Sequence, residues 1–157
     1  MNFRMIDKRS FTLDINPATL STAQQKGVRT FTAKNGKTFV SFYKKKKVLQ
    51  TERMLDLLLR PHAPKTPAMN DGNTCVNLEI VYMFPHPSNT PKWKAEQLTF
   101  MTQRPDADNL SKSLVDCMTK CGFWEDDSMV NFDYKKFRNP RPRIDISLET
   151  WIQEREK

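Results

Sequence analysis

The sequence predicts an α+β fold: a small mixed β-sheet with helices packed on one face. Three observations carry that prediction. Val76, Leu78, Ile80, Tyr82 and Phe84 alternate strictly with other residues, the period-2 signature of a half-buried strand. Two other segments repeat their apolar residues at helical spacing instead. The resulting order is strand, hairpin, helix, strand, helix, strand, strand, which interleaves the two types as an α+β chain does. A chain of 157 residues supplies one such core and no second one, so residues 1–157 are expected to form a single domain.

Taken in order, Phe11, Leu13 and Ile15 alternate with polar neighbours, giving a strand over 9–15 ended by Asn16-Pro17. Residues 29–33 and 37–41 flank Lys34-Asn35-Gly36-Lys37, and Asn-Gly between β-prone runs predicts a hairpin with positive φ at both turn positions. The element is a basic hairpin, or an arm that orders on its partner, at about 26–47. Val48, Thr51, Leu55, Leu58 and Leu59 then recur as a helix that Pro61 stops. Residues 60–73 hold Pro61, Pro64, Pro67 and Gly72 and read as a loop. The alternating strand ends at Pro85-His86-Pro87, and 88–103 is a long loop with a helical piece near Trp93–Leu98. A helix spans about Asn109 to Cys121, closed by Gly122. Strands at 129–137 and around Ile144, Ile146 and Leu148 follow, joined by the basic turn 138–143.

Charge is unevenly placed. Lysine and arginine total 26 against 18 acids, a formal charge of +8. No acid occurs from Ile15 to Thr51, where Lys26, Arg29, Lys34, Lys37, Lys44, Lys45, Lys46 and Lys47 carry the whole excess. They are interspersed with threonines and with Phe31, Phe39, Phe42 and Tyr43, which suit phosphate hydrogen bonds and base stacking. Arg138, Arg141 and Arg143 form a second basic group, and a nucleic-acid partner is expected. A membrane partner is not expected: no apolar run nears the roughly 20 residues of a span, and Met1–Ser10 does not resemble a signal peptide. The three cysteines include no CxxC pair, which points to a reducing compartment. Cys75, Cys117, Cys121, His62 and His86 could be grouped as a zinc site. Cys117 and Cys121 fall on an apolar helix face, however, so packing is the preferred role. His62 and His86 are expected to be exposed, and Trp93, Trp124 and Trp151 to be packing anchors.

The acids cluster where the charge is otherwise balanced. Asp106, Asp108, Asp116, Asp126 and Asp127 fall within 22 positions. On the 109–121 helix, Leu110, Leu114, Val115, Cys117, Met118 and Cys121 share one arc. Asp108, Lys112, Asp116 and Lys120 step along the other. One reading is local: Asp106 or Asp108 caps the helix, Asp108–Lys112 and Asp116–Lys120 are surface pairs, and Asp126-Asp127 marks a turn. The other is a site for a hard divalent cation, which takes carboxylate oxygens, waters and phosphate oxygens. An EF-hand does not fit, because its fifth and sixth loop positions would be Leu110 and Ser111.

The segment Arg104–Val130, RPDADNLSKSLVDCMTKCGFWEDDSMV, resembles the RusA family of Holliday junction resolvases. It carries PDxDN, a lysine four residues after the second aspartate, a mid-helix aspartate, a glycine at the helix end, then paired aspartates and a valine strand. The resemblance is strong over Thr102–Leu148 and rests on element order alone before that. It implies a homodimeric, RusA-like nuclease in a bacterial cytoplasm, phage- or prophage-encoded, that cuts branched DNA by paired symmetric nicks. It implies Mg²⁺, with Mn²⁺ able to substitute, held by Asp106, Asp108 and Asp127 with Asp126 as a further ligand. Lys112 matches the family's essential lysine, and Trp124 is expected to buttress the paired aspartates. No organic cofactor is expected. The competing reading, from another class, is a basic DNA-binding protein without cleavage, such as a phage regulator or architectural factor.

Overall fold

The alternating run forms the middle of the protein because both its edges find partners and one face finds helices. In the computed structural model, which describes residues 2–21 and 26–154, strand β4 (Thr74–Phe84) lies third in a five-stranded sheet. The other members are β1 (Asn2–Leu13), β5 (Thr99–Phe100), β6 (Val130–Arg138) and β7 (Arg143–Glu154), in the order β1-β7-β4-β6-β5. β4 pairs antiparallel with β7, Ile80 opposite Ile146, and parallel with β6, Ile80 beside Tyr134. A parallel pair needs a crossover connection. Helix α3 (Ala107–Lys120) lies in that connection.

Val76, Leu78, Ile80, Tyr82 and Phe84 are buried with Ile144, Ile146 and Leu148 and with Leu110, Leu114 and Met118 of α3. Helix α1 (Lys46–Leu59) buries Val48, Thr51, Leu55 and Leu59 and packs on α3. The other sheet face is a polar ladder, where Asn131 bonds Asn77 and Lys135 pairs with Glu79. The α+β architecture with a mixed sheet is as expected.

Several boundaries differ from the sequence expectation, each for a physical reason. β1 begins at Asn2, not near residue 9. Its first half buries no alternating set, because it is an edge strand held by backbone pairing and by ion pairs such as Arg4–Glu154 and Lys8–Glu149. An irregularity between Met5 and Asp7 breaks the period as well. β5 has two residues, too few for a pattern, and the helical piece α2 is Lys92–Ala95.

The hairpin forms its own two-stranded sheet from β2 (Lys26–Thr32) and β3 (Thr38–Lys44). The turn is not the expected type: among the described residues no non-glycine has positive φ, and Gly36 alone takes +78°. Gly36 donates to the Ala33 carbonyl, and the Asn35 side chain accepts from the Lys37 amide. This is a type I turn followed by a glycine bulge.

α3 ends as the glycine predicts. Gly122, at φ +82°, lets its amide reach the Thr119 carbonyl and the Phe123 amide reach that of Met118. His62 and His86 are half-buried, not exposed: His62 stacks on Phe11 at 4.3 Å, and His86 bonds the Gln97 carbonyl. Trp93 is no packing anchor, being 67% exposed. Among the described residues, no helix is long and apolar enough to cross a membrane.

Candidate active site

The first turn of α3 is fixed from below. Tyr82 is fully buried and its hydroxyl lies 2.8 Å from Ser111 Oγ. Ser111 in turn donates to the Ala107 carbonyl at 2.6 Å. Serine has one hydroxyl proton, so Tyr82 must be the donor in the first bond. A continuous chain therefore runs from the central strand to the residue between Asp106 and Asp108. The preceding loop is tied down by β6: Lys136 donates to the carbonyls of Gln103 and Pro105 at 2.9 and 2.8 Å.

On this base, Asp106 occupies the helix N-cap position, yet its side chain makes no capping bond. Asp108 and Lys112 follow one turn apart on the exposed side. Among the described residues the side chains of Asp106, Asp108, Lys112 and Asp127 have no hydrogen bond or ion pair. The local reading of these acids as cap and surface pairs therefore finds no bond to support it. Past Trp124, whose indole is buried and donates to Thr119 at 2.8 Å, the chain turns through a short 3₁₀ segment at Asp127–Met129. Asp126 caps that segment by accepting from the Ser128 amide at 2.8 Å, which holds its carboxyl below the usual carboxylate range. Asp127, the first residue of that segment, is exposed.

Tyr134, half-buried on the helix side of β6, is a residue that the sequence reading did not single out. Its phenol is pushed above its ordinary value first by burial, then by the negative charges of Asp108 and of Asp127. Two carboxylates 19 positions apart thus bear on one hydroxyl. The available signal was the period of β6, which sets Val130, Phe132, Tyr134 and Lys136 on the helix side of the sheet. Asp126 and Asp127 also line a shallow depression of about 260 Å³ with Asp116, Thr119, Lys120 and Glu125.

A hard divalent cation fits this donor set, which consists of exposed carboxylate oxygens that the protein leaves unpaired. Among the described residues, no three side chains of the His, Cys, Asp or Glu type stand close enough to hold an ion by themselves. Such a set suits an ion that uses one or two carboxylates and completes its shell with water and phosphate oxygens, as Mg²⁺ does. The cysteines make separate contacts. Cys117 is buried, Cys121 bonds Asp56 at 3.4 Å, and Asn131 bonds Cys75.

The basic residues divide by what they touch. Arg29, Lys34, Lys37 and Lys44 to Lys47 are exposed on the hairpin and at the start of α1. Lys26 is placed by its backbone, opposite Lys44, and its side chain lies outside the described residues. Lys44 pairs with Glu52 at 2.6 Å, so the hairpin is rooted on α1, which packs on α3. Lys45, Lys46 and Lys47 sit where the helix dipole is already positive, with no acid in the first turn. In the second basic group, Arg138 donates to the Pro85 carbonyl and the Gln103 side chain, and Arg143 to Asp145, Asn139 and the Arg141 carbonyl. Those two guanidinium groups hold the fold together, whereas Arg141 is exposed and makes a loose ion pair with Asp14 at 3.7 Å.

Comparison with known proteins gives two concordant matches. The family model described as Endodeoxyribonuclease RusA matches residues 20–149. A protein of Lactococcus phage r1t named Crossover junction endodeoxyribonuclease rusA is 29% identical over 139 residues, covering 88% of this chain and 93% of that protein.

Proposed function

The chain belongs to the RusA family of endodeoxyribonucleases, and from that premise we propose that it resolves four-way DNA junctions by paired symmetric nicks that depend on Mg²⁺. The observation that supports this most is that, among the described residues, Asp106, Asp108 and Lys112 at the start of α3 and Asp127 past its end are all exposed and make no hydrogen bond or ion pair. Asp106, Asp108, Asp127 and Asp126 would hold Mg²⁺ with one or two carboxylates to an ion and with water and phosphate oxygens completing each shell, Mn²⁺ being able to substitute. When bound, such an ion lowers the pKa of an attacking water and neutralises charge on the leaving oxygen.

The chain's own residues supply the rest. Lys112, one turn from Asp108 and without a partner among the described residues, stabilises the negative charge that develops on the scissile phosphate. Tyr82, Ser111 and Lys136 hold the first turn of α3 and the loop before it, so that the acids are presented without rearrangement. The lysines of the hairpin and of the α1 start, with Arg141, bind phosphates. They bring a polyanion to carboxylates that would otherwise repel it, and binding therefore weakens steeply with salt.

Two symmetric nicks call for a homodimer with one acidic site per subunit. The proposed setting is a bacterial cytoplasm and a phage or prophage gene. A basic binding protein without cleavage would use the same lysines but would need none of the unpaired acids.

The test is a gel assay of the purified protein on a synthetic four-way junction, a fork and a linear duplex, with Mg²⁺ or with EDTA. Symmetric nicks in the junction with Mg²⁺, and none with EDTA, are expected. Cleavage in EDTA, or equal cutting of linear duplex, would overturn the proposal.

A further inference from the structure

The hairpin carries more than charge. Residues that face each other across an antiparallel pair project on the same side. One side of this ribbon therefore presents Gly27, Arg29, Phe31, Phe39, Ser41 and Tyr43. The Tyr43 ring is already engaged. It lies over Gly27 so closely that a Cβ there would come within 2.2 Å of the ring, and the Arg29 guanidinium sits above it at 4.7 Å. The opposed pair Phe31 and Phe39, next to the turn, is not covered: the two residues are 54% and 56% exposed. Lys34 and Lys37 flank them at the tip, and no acid occurs between Ile15 and Thr51.

An exposed apolar pair in water is unfavourable until something covers it. A second copy of the same ribbon would bring like charges together. A partner with negative charge and flat apolar faces meets both demands, and unstacked bases beside phosphates are such a partner.

We infer that the Phe31–Phe39 pair is a stacking wedge that engages bases at the branch point of the DNA, where two strands exchange and stacking is interrupted, while Lys34 and Lys37 grip the adjoining phosphates. This rests on the branched-DNA reading above and adds the element that recognises the branch.

The experiment uses junctions carrying the fluorescent base 2-aminopurine either at the exchange point or within an arm, titrated with the full-length protein in EDTA so that no cleavage occurs. Wild type should change the emission at the exchange point and leave the arm signal unaltered. The double variant Phe31→Ala/Phe39→Ala should lose that change and lose roughly 10- to 100-fold in junction affinity, with linear-duplex affinity kept within about twofold. Phe31→Tyr/Phe39→Tyr should restore the signal, and Val28→Thr/Val40→Thr on the opposite side should leave it intact. Both phenylalanines are on the surface, so the circular dichroism of the variants should match wild type.

An unchanged signal in the alanine variant overturns the wedge while leaving the nuclease reading standing. So does a drop in the sedimentation mass of the DNA-free protein, which would make the tip a contact between copies. Equal wild-type affinity for junction and duplex would instead overturn the branched-DNA reading itself.

Discussion

Replacing Tyr82 by phenylalanine removes a single oxygen from the junction between sheet and α3, and the direction of its hydrogen bond sets the cost. Tyr82 donates to Ser111, and Ser111 donates to Ala107. Tyr82→Phe leaves Ser111 still bonded to Ala107, short of one incoming donor, so the loss is that of a net hydrogen bond, about 1 kcal/mol. Ser111→Ala strands the Tyr82 hydroxyl, which is fully buried, and costs the desolvation penalty of about 1–3 kcal/mol, less a few tenths returned by the helix propensity of alanine. In the double variant no polar group is stranded, so adding Tyr82→Phe to Ser111→Ala should be neutral or stabilising. Equilibrium urea unfolding of the four proteins measures all three steps. In thermal melts each 1 kcal/mol should appear as roughly 2–4 °C. If the two single effects simply add, or if the tyrosine change is the more costly, the donor assignment is wrong and the chain does not lock the first turn of α3.

Two further outcomes follow from the same geometry. Lys112→Ala should keep junction binding and lose on the order of 10²–10³ in single-turnover nicking, because in the proposed mechanism the lysine acts on charge present only in the transition state; wild-type turnover would remove it from the mechanism. Alkaline pH should destabilise the fold. Burial raises the Tyr82 phenol and pushes the Cys117 and Cys121 thiols up to about 11. The unfolded chain therefore gives up protons from about pH 8.5 upward that the folded chain keeps, so this stability is complete below that value and is lost as pH rises. The urea midpoint should fall between pH 8 and pH 10.5, and less so in Cys117→Ser; a flat or rising midpoint would contradict the assignment.

What the sequence made legible is what repeats or clusters. The period of β4, the two faces of α3 and the glycine that ends it could all be read from spacing alone. The first half of β1 could not, because an edge strand needs no buried alternation and is held by long-range pairing to β7. Asn35-Gly36 announced a hairpin but not its turn type, which depends on whether Asn35 also takes positive φ. Arg138 and Arg143 looked identical to Arg141 in the sequence. Only the folded turn shows that the first two are bonded to Pro85, Gln103, Asn139 and Asp145 while the third is exposed, with only a loose ion pair to Asp14 among the described residues. Tyr134 was invisible for the same reason, since only the fold half-buries its phenol and exposes it to the charges of Asp108 and Asp127 from distant parts of the chain.

The most direct measurement is Asp108→Asn, assayed for both binding and nicking of a four-way junction in Mg²⁺. The substitution keeps the shape of the side chain and removes a negative charge close to where a phosphate must sit. Nicking should fall by at least about 100-fold, with binding unchanged or tighter. An asparagine variant that cuts at the wild-type rate would show that the acids of α3 do not carry the chemistry.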